Sequence, residues 1–165
     1  MEKKILIYLV DGHNLIPKIP GLSLQQVDDE VQLIKLLQIF ARIRRASVEV
    51  FFDQAPPGYS GLKQVGMLKA HFVLKGTTAD QEMIFHIQHM KKTARTITVV
   101  TSDRRIRVEA QAAHARLLSS EMFADMVMNA VVEAESNGGN SAAPLPGGGV
   151  DEWLHLFGAE DERDK

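Results

Sequence analysis

Apolar residues come along this chain in two alternating rhythms. Three short continuous runs, Ile5-Leu6-Ile7-Tyr8-Leu9-Val10, Val48-Glu49-Val50-Phe51-Phe52 and Ile97-Thr98-Val99-Val100-Thr101, have the length and the β-branched or aromatic content of buried strands. Between them apolar residues recur at helical spacing. Val27, Val31, Ile34, Leu37, Phe40, Ala41 and Ile43 predict a helix over about 24–44, opened by a capping box of Ser23 and Gln26. Thr78 can cap a second helix that carries Met83, Ile84, Ile87 and Met90 to about residue 94. Ser102 or Asp103 can cap a third, over Ile106 to His114, and Ser119-Ser120-Glu121 opens a last one running to about Glu133. Short strands are expected at 71–74 and 116–118, and Asp11 to Gly21 is read as a Pro/Gly-rich loop. Strand and helix alternate throughout, which predicts an α/β three-layer sandwich on a mainly parallel sheet of about five strands.

The periodic pattern stops near residue 135. Residues 136–149, rich in Asn, Gly, Ser and Pro, have a linker's composition. Residues 150–165 form a short amphipathic and acidic tail around Trp153, which could dock on its own domain, on a second copy or on a partner. The expected organisation is a domain over 1–135, a linker and a tail. The chain has 165 residues, 45% of them apolar, enough for one ordinary core. It has no cysteine, which excludes disulfides, thiolate zinc sites and cysteine nucleophiles and suits a reducing cytoplasm. No run approaches the roughly 20 apolar residues of a membrane span, so a cytoplasmic protein without membrane contact is expected. The formal charge of −2 divides into −4 for residues 151–165 and +2 for the rest, a balance that permits a polyanionic partner.

Candidate chemistry lies at the ends of the apolar runs. Asp11, Asp53 and Asp103 each follow a predicted strand, and Asp80 opens a predicted helix. The carboxyl ends of parallel strands share one sheet edge, so these groups would converge there, and converging carboxylates call for a cation. Asn14, three residues after Asp11, could hold a carboxylate, a metal-bound water or a phosphate; its plain alternative is loop hydrogen bonding. Singly, each aspartate is more often structural, as a helix cap or a loop residue. The joint placement favours a site, because loops after the first two strands need no capping aspartate. Arg104, Arg105 and Arg107 follow Asp103, and Lys63, Lys69 and Lys75 lie between Asp53 and Asp80; they could meet a polyanion, with ordinary solvated charge as the plain alternative. His13 reads as a loop residue rather than a ligand.

Taken together, Asp11-Gly12-His13-Asn14, Phe52-Asp53, Thr78-Ala79-Asp80, Thr101-Ser102-Asp103 and the later Ser119-Ser120-Glu121-Met122-Phe123 resemble the NYN branch of PIN-like nucleases, in particular its YacP-like members. The resemblance covers roughly residues 4–133. It implies a PIN-like, Rossmann-like fold and a Mg2+- or Mn2+-dependent endoribonuclease acting on RNA, with Asp11, Asn14, Asp53, Asp80 and Asp103 as catalytic residues. Asp11, Asp80 and Asp103 would be the metal ligands. Many relatives carry a second acid directly after the helix-opening aspartate, where this chain has Gln81, with Glu82 one position on. That departure motivates an alternative, a catalytically weak or inactive RNA- or ribosome-binding module. A phospho-receiver is disfavoured because a glycine, not a second acid, follows Asp11. A dinucleotide-binding domain is disfavoured because no Gly-x-Gly-x-x-Gly follows the first strand.

Overall fold

The computed structural model describes residues 5–22, 28–53, 61–73, 77–90 and 96–136. Six strands form one sheet: β1 (Ile7–Asp11), β2 (Ser47–Phe52), β3 (Gly61–Val65), β4 (Leu68–Phe72), β5 (Ile97–Val100) and β6 (Arg116–Leu118). Their order is β3-β4-β2-β1-β5-β6, and every neighbouring pair is parallel except the antiparallel pair of β3 and β4. Among the described residues the helices are α1 (Gly12–Leu15), α2 (Asp28–Arg44), α3 (Ala79–His89), α4 (Arg104–Ala112) and α5 (Ser120–Ser136), with a 3-10 turn at Ile16–Lys18.

Strand alternation divides the core into two layers. Tyr8 and Val10 of β1, with Val48, Val50 and Phe52 of β2, pack with Leu33, Ile34, Leu37 and Phe40 of α2 and Phe123 and Val127 of α5. Leu9 and Phe51 point the other way, onto Met83 and Ile87 of α3 and Ile106 and Ala110 of α4. A period of two is what lets one strand serve both helical layers. The central strands are buried on both faces, which is why their sequences read as unbroken apolar runs. At the centre of the first layer Tyr8 meets Phe40 edge-on and lies against Phe123, both at 5.3 Å between ring centroids. Phe40 and Phe123 close the triangle at 5.0 Å.

The α/β sandwich is the expected one, with three differences. The sheet has six strands rather than about five, because Gly61–Val65 is a strand where a loop was expected. It is short, polar at Lys63 and Gln64, and joined to β4 by the two residues Gly66 and Met67. Gly66 has φ +60°, the left-handed conformation that tight hairpin turns need. The expected strand at 71–74 lies at Leu68–Phe72. Third, Asp11 to Gly21 is not all loop, since α1 and the 3-10 turn fill its first half. The Ser23–Gln26 capping box, the linker from residue 137 onwards and the tail lie outside the described residues. No helix among the described residues is long and apolar enough to cross a membrane.

The aromatic triangle yields a stability prediction. Phe123 is completely buried, so Phe123→Ala should destabilise the chain by about 3–5 kcal/mol through lost transfer energy and a residual cavity. Urea unfolding followed by circular dichroism measures this, and a change under about 1 kcal/mol would mean the triangle is not a packed core.

Candidate active site

The chain runs from β1 through α2 to β2 on one side of β1, then returns through α3 to β5 on the other. The reversal opens a crevice at the carboxyl ends of β1 and β5, where open α/β sheets bind ligands. Asp11 is the last residue of β1, Asp53 directly follows β2, Asp103 stands between β5 and α4, and Asp80 lies in the first turn of α3. The electrostatics record their approach. Burial raises the pKa of both Asp11 and Asp80, and beyond burial the charge of Asp80 raises Asp11 while Asp103 and Asp53 raise Asp80.

Asp11 is the buried member, 3% exposed. Its Oδ2 accepts from Asn14 Nδ2 at 3.0 Å and from Thr101 Oγ1 at 3.4 Å, and its Oδ1 accepts from the Asn14 backbone N–H at 3.4 Å. These bonds favour the carboxylate but do not outweigh the rest. Burial first, and the charge of Asp80 second, push its pKa up to about 6. Asn14 in turn accepts the Ser102 N–H at 3.2 Å through Oδ1, while Thr101 Oγ1 accepts the Asp103 N–H at 3.0 Å. The ends of β1 and β5 are thus laced together by side chains. Gly12 makes the turn after Asp11 possible, since a Cβ there would sit 2.4 Å from Phe52 Cε1 and 2.9 Å from the Phe51 carbonyl oxygen.

The other aspartates hold helix ends. Asp103 Oδ1 accepts from the N–H groups of Arg105 (2.8 Å) and Ile106 (3.3 Å) at the start of α4. Asp53 Oδ1 accepts a short bond from the Ala79 N–H, at the start of α3. The expectation that the first two strands lead into loops with no capping work is therefore corrected, because Asp11 caps α1 and Asp53 receives an N–H of α3. Asp80 is raised by its own burial and by the adjoining Asp103 carboxyl, with Arg105 acting against the shift. Gln81 also has a structural role. It completes a capping box with Thr78, whose Oγ1 accepts the Gln81 N–H at 3.1 Å while Gln81 Oε1 accepts the Thr78 N–H at 3.2 Å. Glu82 lies 3.9 Å from His86 on the next turn of α3.

Sequence reasoning set His13 aside as a loop residue and gave Thr101 no role of its own. His13 Nδ1 accepts the Asp53 N–H at 3.3 Å, which places its proton on Nε2, and Nε2 meets Glu30 Oε2 at 2.9 Å. The bond to Glu30 raises the His13 pKa against the opposing effect of burial. Only the position of His13 beside Asp11 hinted at this, and Thr101 looked like the end of a strand.

The basic candidates separate into two groups. Arg104, Arg105 and Arg107 are exposed on α4 directly after Asp103. Lys63 and Lys69 are not brought to the crevice: they lie on the outer hairpin, Lys63 opposite Ala70 and Lys69 opposite Gln64, on opposite faces of the sheet. Lys69 is moreover near the amino end of β4, and its charge acts on Glu49. Lys75 lies outside the described residues.

Among the described residues no three carboxylate or imidazole groups form a ready-made ion cage. What fits a divalent cation is the charge and donor type of the cluster. Four hard oxygen donors stand around one crevice, and burial and mutual repulsion make two of them, Asp11 and Asp80, ionise with difficulty.

Solved structures of Rae1 (YacP) from Bacillus subtilis share this fold. One aligns with TM-score 0.67 at 20% identity over 96% of this chain and 94% of its own. A form of the same protein with a single tryptophan-to-leucine change aligns with TM-score 0.66 at 22% identity over 97% of both chains. No curated protein matches the sequence. Residues 8–143 match the YacP-like NYN domain, a stretch that holds all four aspartates, and the chain belongs to that family of PIN-like nuclease domains.

Proposed function

We propose that this chain is a metal-dependent endoribonuclease that hydrolyses phosphodiester bonds of single-stranded RNA, using Mg2+ or Mn2+. The observation that carries the reading is the gathering of Asp11, Asp53, Asp80 and Asp103 at the switch point of the sheet, with Asp11 buried and forced against the charge of Asp80. A divalent cation held there supplies a Lewis acid and an activated water at neutral pH. Asp11, Asp80 and Asp103 would hold it. Each ends or begins a regular element, so its backbone is held by the sheet or a helix rather than by a mobile loop. Asn14 holds Asp11 in place, its amide orientation set by the bonds to Asp11 Oδ2 and from Ser102 N–H.

Asp53 is the water-positioning base. Its Oδ1 is committed to α3, while its Oδ2 lies 3.9 Å from His13 Nδ1 and stays available. The RNA approaches along Arg104, Arg105 and Arg107, which start one residue beyond Asp103. The reading also takes RNA to reach the protein in the cytoplasm.

The chemistry of the cluster gives two expected outcomes. Asparagine is a good helix cap and keeps an acceptor oxygen, so Asp11→Asn and Asp103→Asn should fold normally. Each should lower manganese-dependent cleavage of a single-stranded RNA by roughly a hundred-fold or more, as loss of a group stabilising transition-state charge does. Cleavage surviving both changes would sink the mechanism. Binding of RNA by pure wild-type protein without any cleavage would instead favour a non-catalytic module.

The second outcome concerns pH. Asp11 is pushed from 3.8 up to about 6 in the fold, so its ionisation opposes folding. Stability is highest while the group is protonated and falls as pH climbs from about 4 to about 6, by about 3 kcal/mol for a shift of this size. In metal-free buffer with chelator, Asp11→Asn should therefore gain on wild type across that window and hold a constant lead above it. Denaturant unfolding at pH 4, 5, 6 and 7 measures the gap, and parallel curves would contradict it.

A further inference from the structure

Beside the aspartate crevice lies a cavity of about 310 Å3 at the carboxyl ends of β5 and β6. Leu117 and Leu118 of β6 both border it but from opposite faces of the strand, Leu117 packing with the α3/α4 layer and Leu118 with the α2/α5 layer, and its polar lining comes from Ser102, Arg107 of α4, and Ser119 and Glu121 at the start of α5. It adjoins the aspartates through residues 101–103: Thr101 bonds to Asp11, Ser102 N–H bonds to Asn14, and Ser102 Oγ donates to Glu121 Oε1 at 3.4 Å. A polymer with one phosphate at the aspartates would lay a neighbouring nucleotide over this opening.

The rim is chemically selective. Ser119 Oγ already accepts the Met122 N–H at 3.1 Å, capping α5. That leaves two charged groups to meet a ligand. Glu121 presents a carboxylate, which only accepts hydrogen bonds, with one oxygen steadied by Ser102. Arg107 presents a forked guanidinium, which only donates and has no hydrogen-bond or ion-pair partner among the described residues. A matching base must offer paired donors on one edge and paired acceptors on another. Guanine does so, through N1–H and the N2 amino group towards a carboxylate and through O6 and N7 towards an arginine. Adenine, cytosine and uracil each lack one of these pairs.

We propose that this cavity is a nucleobase subsite that selects guanine next to the cleaved phosphodiester, with Glu121 and Arg107 as specificity-determining residues. The assignment rests on the ribonuclease reading for its place in a reaction, but the pocket itself can be tested without catalysis. The 165-residue chain, labelled at its leucine methyl groups, is titrated with GMP, AMP, CMP and UMP. GMP should shift the Leu117 and Leu118 signals saturably and bind on the order of ten-fold or more tightly than the other three. Glu121→Gln, an exposed change that turns an acceptor oxygen into a donor, should erase that preference, and Arg107→Met should weaken GMP binding. Equal binding of the four nucleotides, or shifts confined to other leucines, would overturn the assignment. Short single-stranded RNAs differing only at the nucleotide beside the cut then separate the two claims. Cleavage of all of them at equal rates would leave the nuclease reading standing and remove the subsite. Guanine-selective binding to a protein that cuts none of them would keep the subsite and remove the nuclease reading.

Discussion

Asp11 is a carboxylate held almost dry between two strand ends, close to the charge of Asp80, and the crevice is organised around that unfavourable placement. Left to burial and repulsion, it takes a proton near neutral pH. Hydrogen bonds from Asn14 and Thr101 oppose this, and the same two side chains tie β1 to the Ser102–Asp103 segment after β5. Gly12 lets the chain turn hard against Phe52 directly afterwards. A group kept so unfavourably, in a crevice shared with three further carboxylates, is the mark of a functional site more than of a stabilising one.

The aspartates combine two tasks that a reading of single residues sets against each other. Asp103 and Asp53 each commit Oδ1 to the first N–H groups of a helix. Capping would not compete with ligation, because a carboxylate has two oxygens and the cap engages only one of them. Gln81 shows the converse. It directly follows the helix-opening Asp80, and it closes a capping box with Thr78 that sets the first turn of α3 and hence the position of Asp80.

The sheet and the two helical layers were legible in the sequence because central strands buried on both faces appear as unbroken apolar runs, and α2 to α5 carry clear helical periodicity. Each aspartate could be located at a strand end or helix start for the same reason. The β3–β4 hairpin was not legible: an edge strand with one covered face, Lys63 and Gln64 at its middle, has too weak an alternation, and its best signal was Gly66 in a two-residue turn. Side-chain partners were hidden for a different reason. Whether Lys63 and Lys69 share a face depends on strand register, and His13 meets Glu30 only through the packing of α2 beside α1. Sequence distance suggested basic residues near Asp53, but register sets Lys63 on the edge strand β3 and Lys69 near the amino end of β4, away from the carboxyl ends of the strands. The linker and the Trp153 tail carry only compositional signals.

Family membership places the chain among PIN-like nuclease domains, and the crevice offers a physical reason for a cation, namely carboxylate charge that Arg105 and His13 offset only in part. Anomalous diffraction from crystals of the protein grown with manganese tests this most directly. The account predicts a manganese peak in the crevice coordinated by Asp11, Asp80 and Asp103. A crevice without manganese at a concentration that occupies other carboxylates in the same crystal, or an ion bound elsewhere with these three aspartates unliganded, would contradict it.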